Sequence, residues 1–144
     1  MDQKVIGGVV GGLAGGVIFG MLMQMMGMMP MIASMIGSTA TAVGWIIHLV
    51  ISAVTGAIFV LVFSKFVRNY AEGFGYGLLY GMIWWVLGAL IAMPVILGMG
   101  VQIQNAFDTM RLMSLMGHVI FGVILGVVYV WYTVKGHESM EHTH

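Results

Sequence analysis

The chain reads as an all-α integral membrane protein, a bundle of four transmembrane helices built from a duplicated helical hairpin. Three observations predict this. The chain is 60% hydrophobic and only 7% charged, with 22 glycines in 144 residues and a mean hydropathy of +1.04. A soluble domain of this size could not keep such an apolar load in solution. Four apolar runs, roughly 5–29, 41–64, 73–99 and 112–134, each reach the ~20 residues that a bilayer core requires. Finally, HLVISAVTGAIFVLVFSK, His48 to Lys65, lines up seventy residues later with HVIFGVILGVVYVWYTVK, His118 to Lys135, placing His over His, Gly56 over Gly126 and Lys65 over Lys135.

The repeat divides one membrane domain into a first hairpin over 1–70, a second over 71–135 and a polar, His-rich tail over 136–144. It also predicts a pseudo-two-fold axis along the membrane normal, a 2+2 arrangement. The lipid bilayer is the first partner. Net charge is zero with no basic run, so nucleic acid is not expected to bind. With no cysteine, disulfides and thiolate metal sites are excluded. The first apolar run is too long for a signal peptide and is expected to be retained. Lys4, Lys65, Arg68 and Lys135 fall on one side of the membrane and Arg111 alone on the other, which predicts cytoplasmic N- and C-termini.

In the first span, Gly8, Gly12, Gly16 and Gly20 form one stripe, with Gly7, Gly11 and Gly15 beside it. Glycine at every fourth position lets a neighbouring helix, or a flat ligand, reach the backbone. Gly12 and Gly16 are therefore either packing positions or part of a cofactor slot. Residues 21–35 hold eight of the sixteen methionines. Met93, Met99, Met110, Met113 and Met116 fall on the same, outer, side. Thioethers are soft ligands suited to Cu(I), and methionine is equally a flexible filler of irregular gaps. Pro30 is expected to end or kink the helix, leaving MIASMIGSTAT as a short outer connection.

The second span carries His48 about 10 Å below its outer end, in line with Ser52 and Gly56 on a small-residue face that points into the bundle. The fourth span repeats this with His118, Gly122 and Gly126. Two histidines at matched depth are expected to face each other across the bundle. An ionisable residue inside the membrane marks a functional site, and imidazole ligates metals, haem iron included. It serves equally as a hydrogen bonder between helices.

Glu72 is expected near the start of the third span, where a carboxylate suits a helix N-terminus. This span carries Gly73, Gly77 and Gly81 beside an aromatic stripe of Tyr76, Tyr80 and Trp84. Trp84, placed near mid-membrane, would fill the glycine groove of the first span or stack on a planar ligand. Met93-Pro94 echoes Met29-Pro30. Asp108 is expected to cap the fourth span and to pair with Arg111.

No Ser/His/Asp set, HExxH, P-loop or intramembrane carboxylate pair is present, which argues against a hydrolase or a proton-coupled pump. Three functional expectations stand. The first is a redox or ligand-binding module holding haem b between His48 and His118, with Trp84, Tyr80, Gly12 and Gly16 around it. The second is a Cu(I) conduit through Met25, Met26, Met28 and Met29, ending at His137, Met140, His142 and His144 in the tail. The third is an accessory subunit without ligand, packing through its glycine faces as a homo-oligomer or in a larger membrane complex.

The stretches GWIIHLVISAVTGAIF, MGHVIFGVILG and MGMMPMIASMIGS resemble the small four-span membrane proteins grouped as YagU-like, a resemblance that spans nearly the whole chain. That resemblance implies a four-span fold in the prokaryotic inner membrane and carries no activity or site residues.

Overall fold

The computed structural model describes residues 2–141, with side chains placed through Val134. It is helical, with no strand among the described residues. Four helical stretches are long and apolar enough to cross a membrane: Gln3–Met25, Thr41–Phe63, Tyr70–Ile96 and Thr109–Val134. We label the helices α1 (Gln3–Met25), α2 (Met29–Ala33), α3 (Thr41–Phe63), α4 (Tyr70–Trp84), α5 (Met93–Ile96) and α6 (Thr109–Glu141). A π-helical segment, Trp85–Ala92, joins α4 to α5.

Local chemistry sets the helix ends. Asp2 accepts the Lys4 N–H at the start of α1. Asn69 accepts the Glu72 N–H at 2.8 Å, and the Glu72 carboxylate accepts the Asn69 Nδ2–H at 3.0 Å. That reciprocal cap starts the third span at Tyr70, three residues before the expected boundary, and places Glu72 in the first turn. Asp108 precedes α6, and its carboxylate meets the Arg111 guanidinium at 2.8 Å. The first span ends at Met25, earlier than expected, because Gly27 takes a left-handed φ of 70°. The Met28 N–H then reaches the Met23 carbonyl at 2.9 Å and the Gly27 N–H that of Gln24 at 3.0 Å, the Schellman pattern. Pro30 does not stop α1; it sits in the first turn of α2, where its missing N–H costs nothing.

Glycine decides how the spans assemble. α1 packs against both α3 and α6, and α6 against both α1 and α4. A Cβ on Gly8 would strike the Gly56 carbonyl, and one on Gly12 the Ser52 carbonyl. The neighbouring stripe faces the other way: Gly11 lies on the Leu125 carbonyl and Gly15 on that of Phe121. One helix thus presents two adjacent glycine stripes to two partners, backbone against backbone. The α4–α6 contact uses the same device, with Gly73 against Gly126 and Gly77 against Gly122.

α3 and α4 meet through long side chains instead. Towards the connection at 64–69 the space between them is filled by Phe59, Phe63, Tyr76 and Tyr80, with ring centroids 5.1 Å apart for Phe59 and Tyr80 and 5.5 Å for Phe63 and Tyr76. The Tyr80 hydroxyl donates to the Thr55 carbonyl at 2.5 Å, closing this half with an interhelical hydrogen bond. Towards the other end no such plug exists. There the π segment widens the fourth wall, the Met93 N–H bonding the Gly88 carbonyl five residues back. Pro94 has no N–H to offer Leu90, whose carbonyl is taken instead by the Gln102 N–H at 2.7 Å.

Candidate functional site: a histidine-lined cavity between two helices

The unplugged half holds a cavity of about 410 Å³, in the size range of small-molecule sites. Its walls are Ile51, Ser52 and Thr55 of α3, Trp84 and the π-segment residues Gly88, Ala89 and Ala92, with Phe19 and Phe121 behind them. α2 roofs it: a Cβ on Gly44, at the start of α3, would strike the Met29 carbonyl, so the short helix lies directly on α3. Ile51 and Ile96 line the cavity while remaining 44% and 57% exposed. The mouth therefore opens sideways, between α3 and the π segment, onto the surface that lipid covers.

Both histidines are on the cavity wall. They flank one ring, Phe19, which lies edge-on to each, at 5.4 Å and 84° from His48 and at 4.7 Å and 63° from His118. By those two distances the imidazole centroids are at most about 10 Å apart. Phe19 has room because Gly117 lacks a Cβ, which would strike its ring.

The two imidazoles are wired differently. His48 Nε2–H donates to the Gly16 carbonyl on α1 at 2.7 Å. His118 Nδ1–H donates within its own helix to the Ser114 carbonyl at 2.8 Å. A carbonyl only accepts, so these bonds fix each neutral ring's tautomer. What remains is a lone pair on Nδ1 of His48 and on Nε2 of His118. Neither nitrogen has a hydrogen-bond partner among the described residues, and both imidazoles line the cavity.

No family model, curated protein or solved structure matches this chain. The site must therefore be read from its own atoms.

Of the site residues the sequence proposed, the cavity brings together His48, His118, Trp84 and Met28, with Ser52 from the His48 face and Met93, Met99 and Met110 from the outer methionines. Trp84 contributes its ring, set nearly perpendicular to Tyr80 at 6.1 Å, while its buried Nε1–H lies beside the Tyr80 hydroxyl without reaching good hydrogen-bond geometry. It does not enter the glycine groove of α1, because the backbones of α3 and α6 already occupy that groove. Tyr80 belongs to the aromatic plug. Gly12 and Gly16 are spent on packing against Ser52, although the Gly16 carbonyl orients His48.

The methionines split. Met29 is buried in the core at 1% exposure, and Met25 projects outward at 84%. Met25, Met26 and Met28 line a second cleft of about 200 Å³ with Met113 and Met116; this cleft shares Phe19, Met23, Met28 and Ser114 with the main cavity. Of the tail residues, His142 and His144 lie outside the described residues. The side chains of His137 and Met140 are likewise outside the described part, although the α6 backbone continues to Glu141. Among the described residues no group of three or more His, Asp or Glu side chains is gathered as a metal site.

The sequence placed Met23, Met31, Met35, Met93, Met99 and Met110 on the outer side but did not show that they line one cavity. Sequence reasoning missed Phe19 and Ser114. A signal for Ser114 was available, since it lies four residues before His118, one turn away on the same face.

Proposed function

We propose that this multi-pass membrane protein binds a lipid-soluble ligand in the cavity between α3 and α4, held at the unspent ring nitrogens of His48 and His118. One observation carries the reading: a largely apolar cavity open towards lipid has on its wall two imidazoles, each tied by one nitrogen and free at the other. Polar groups left unpaired inside a membrane are costly, and a ligand that satisfies both would recover that cost. The repeated glycine contacts support a common origin for the two hairpins, and the Lys/Arg asymmetry supports cytoplasmic termini in a prokaryotic inner membrane.

Haem b ligated by both histidines fits this arrangement less well. Its iron would have to lie between imidazoles that now share Phe19, and His48 Nε2 is already committed to Gly16. Copper(I) is a second reading, favoured by the methionines that line both the cavity and the adjoining cleft, since thioether sulfur and neutral imidazole suit that ion.

The test is a single detergent-purified preparation divided three ways, for absorption with and without dithionite, for metal analysis and for solvent extraction with mass spectrometry. We expect one lipid-soluble molecule per chain, lost from Gly88→Phe. That substitution plugs the cavity from a position where an added Cβ meets nothing within 4 Å. A reducible Soret band would return the site to haem, and stoichiometric copper would establish the second reading. A preparation empty by all three, even after incubation with lipid extract, would end the ligand reading and leave the histidines as interhelical bonds.

A further inference from the structure

We propose that the cavity selects for hydrogen-bond donors: it holds a lipid-soluble head group bearing hydroxyls, a quinol or phenol, in preference to the carbonyl form of equal shape. This rests on the ligand-binding reading above and specifies its chemistry. The argument follows each proton on the cavity wall. The His48 and His118 N–H protons go to the Gly16 and Ser114 carbonyls. The Ser52 hydroxyl donates to the His48 carbonyl at 2.7 Å, and the Thr55 hydroxyl to that of Ser52 at 3.1 Å. The Trp84 N–H is buried beside the Tyr80 hydroxyl. At the mouth, two turns from His118, the Arg111 guanidinium spends two of its N–H groups on Asp108 at 2.8 Å and Gln102 at 2.9 Å and keeps the others.

At the depth of the histidines, what the wall offers a ligand is therefore mainly acceptors, the two imidazole lone pairs. Beside them, among the described residues, the Ser114 hydroxyl, whose oxygen lies 3.4 Å from His118 Nδ1, is the donor within reach. A ligand hydroxyl donating to His118 Nε2 can accept from Ser114. A ligand carbonyl finds that one donor and meets lone pairs elsewhere, and facing acceptors without a shared proton is unfavourable. The two rings stand on either side of Phe19, so a head with hydroxyls on opposite edges could satisfy both, with its apolar chain leaving past Ile51 and Ile96 into lipid.

The probes are a decyl-substituted benzoquinol and its quinone, titrated anaerobically into the purified full-length protein and followed by tryptophan fluorescence. We expect the quinol to bind about tenfold more tightly, the difference expected from one to two net hydrogen bonds. His118→Phe keeps a ring against Phe19 and removes the lone pair, and His48→Phe does the same on α3. Each should bring the quinol-to-quinone ratio towards one, chiefly by weakening quinol binding. Equal affinities in the wild-type protein, tighter quinone binding, or a preference that survives in both variants would overturn the inference while leaving the cavity a ligand site. If neither probe binds, or both bind Gly88→Phe as well as wild type, the ligand-binding reading fails too.

Discussion

The two hairpins are packed alike and wired differently. Gly8, Gly12 and the α3 residues Ser52 and Gly56 meet as Gly73, Gly77 and the α6 residues Gly122 and Gly126 do, each Cα approaching the other helix's carbonyl. Yet His48 spends its proton across the interface, on Gly16 of α1, and His118 spends its own within α6. The outer ends differ as well. α1 stops at Gly27 and the chain folds back as α2, whereas the third span runs on through the π segment to a second left-handed glycine, Gly98, with φ 77°. Packing by small residues tolerates no variation, because an added methyl meets backbone. Hydrogen bonding by a side chain at the interface edge is free to diverge.

The sharpest way to break that comparison is to overpack both interfaces. Gly12→Leu and Gly77→Leu each drive a side chain into a facing carbonyl, that of Ser52 and that of Gly122 respectively. Both should lower stability in detergent by ~3 kcal/mol or more, at or beyond the upper end for overpacked sites. If only one variant lost folded protein in an SDS unfolding titration, the two interfaces would not be equivalent. At the helix ends, Gly27→Ala and Gly98→Ala place a Cβ at positive φ with open space around it, so only backbone strain is charged. Each should cost about 1–2 kcal/mol, read as a shift of the same unfolding curve.

The histidines give a smaller, asymmetric effect. His48→Phe removes an interhelical hydrogen bond and should cost about 0.6 kcal/mol, at most ~1.7, as such bonds do in membrane proteins. His118→Phe removes only a bond within one helix and should cost less. A larger loss at His118 than at His48 would contradict the wiring described above. Smallest of all, Trp84→Phe deletes a buried N–H whose approach to the Tyr80 hydroxyl is poorly aligned and should leave stability nearly unchanged. A clear loss of stability there would mean that this N–H is satisfied in the membrane-embedded protein.

Much of this was legible before any coordinates. The four spans, the place of Glu72 in the first turn of the third, the Asp108–Arg111 pair and the two glycine stripes of α1 all follow from apolar run length, short-range charge chemistry at helix ends and a spacing of four. Those features depend on residues a turn or two apart. Less legible was the fate of the aromatic stripe. Tyr76 and Tyr80 fill the space towards the 64–69 connection, while Trp84, one turn further on, borders a void. The stripe has one spacing throughout. What changes is the opposite wall, where Phe59 and Phe63 give way to Thr55, Ser52 and His48. The methionines were legible as a cluster on one side of the membrane but not as a lining, because which of them faces inward depends on the fold-back of α2 at Gly27.

The sequence by itself determined a four-span helical membrane protein, assembled through glycine faces and carrying one histidine in each of its second and fourth spans. Hydrophobicity, helix periodicity and the absence of side chains are properties of single segments, and lipid enforces them locally. Only the tertiary structure decided that α3 and α4 stand apart, that the gap is plugged by aromatics in one half and hollow in the other, and which nitrogen of each histidine is left free. Those outcomes depend on the rotation and register of one helix against another, which place the Gly16 carbonyl within reach of His48 and leave His118 to its own helix.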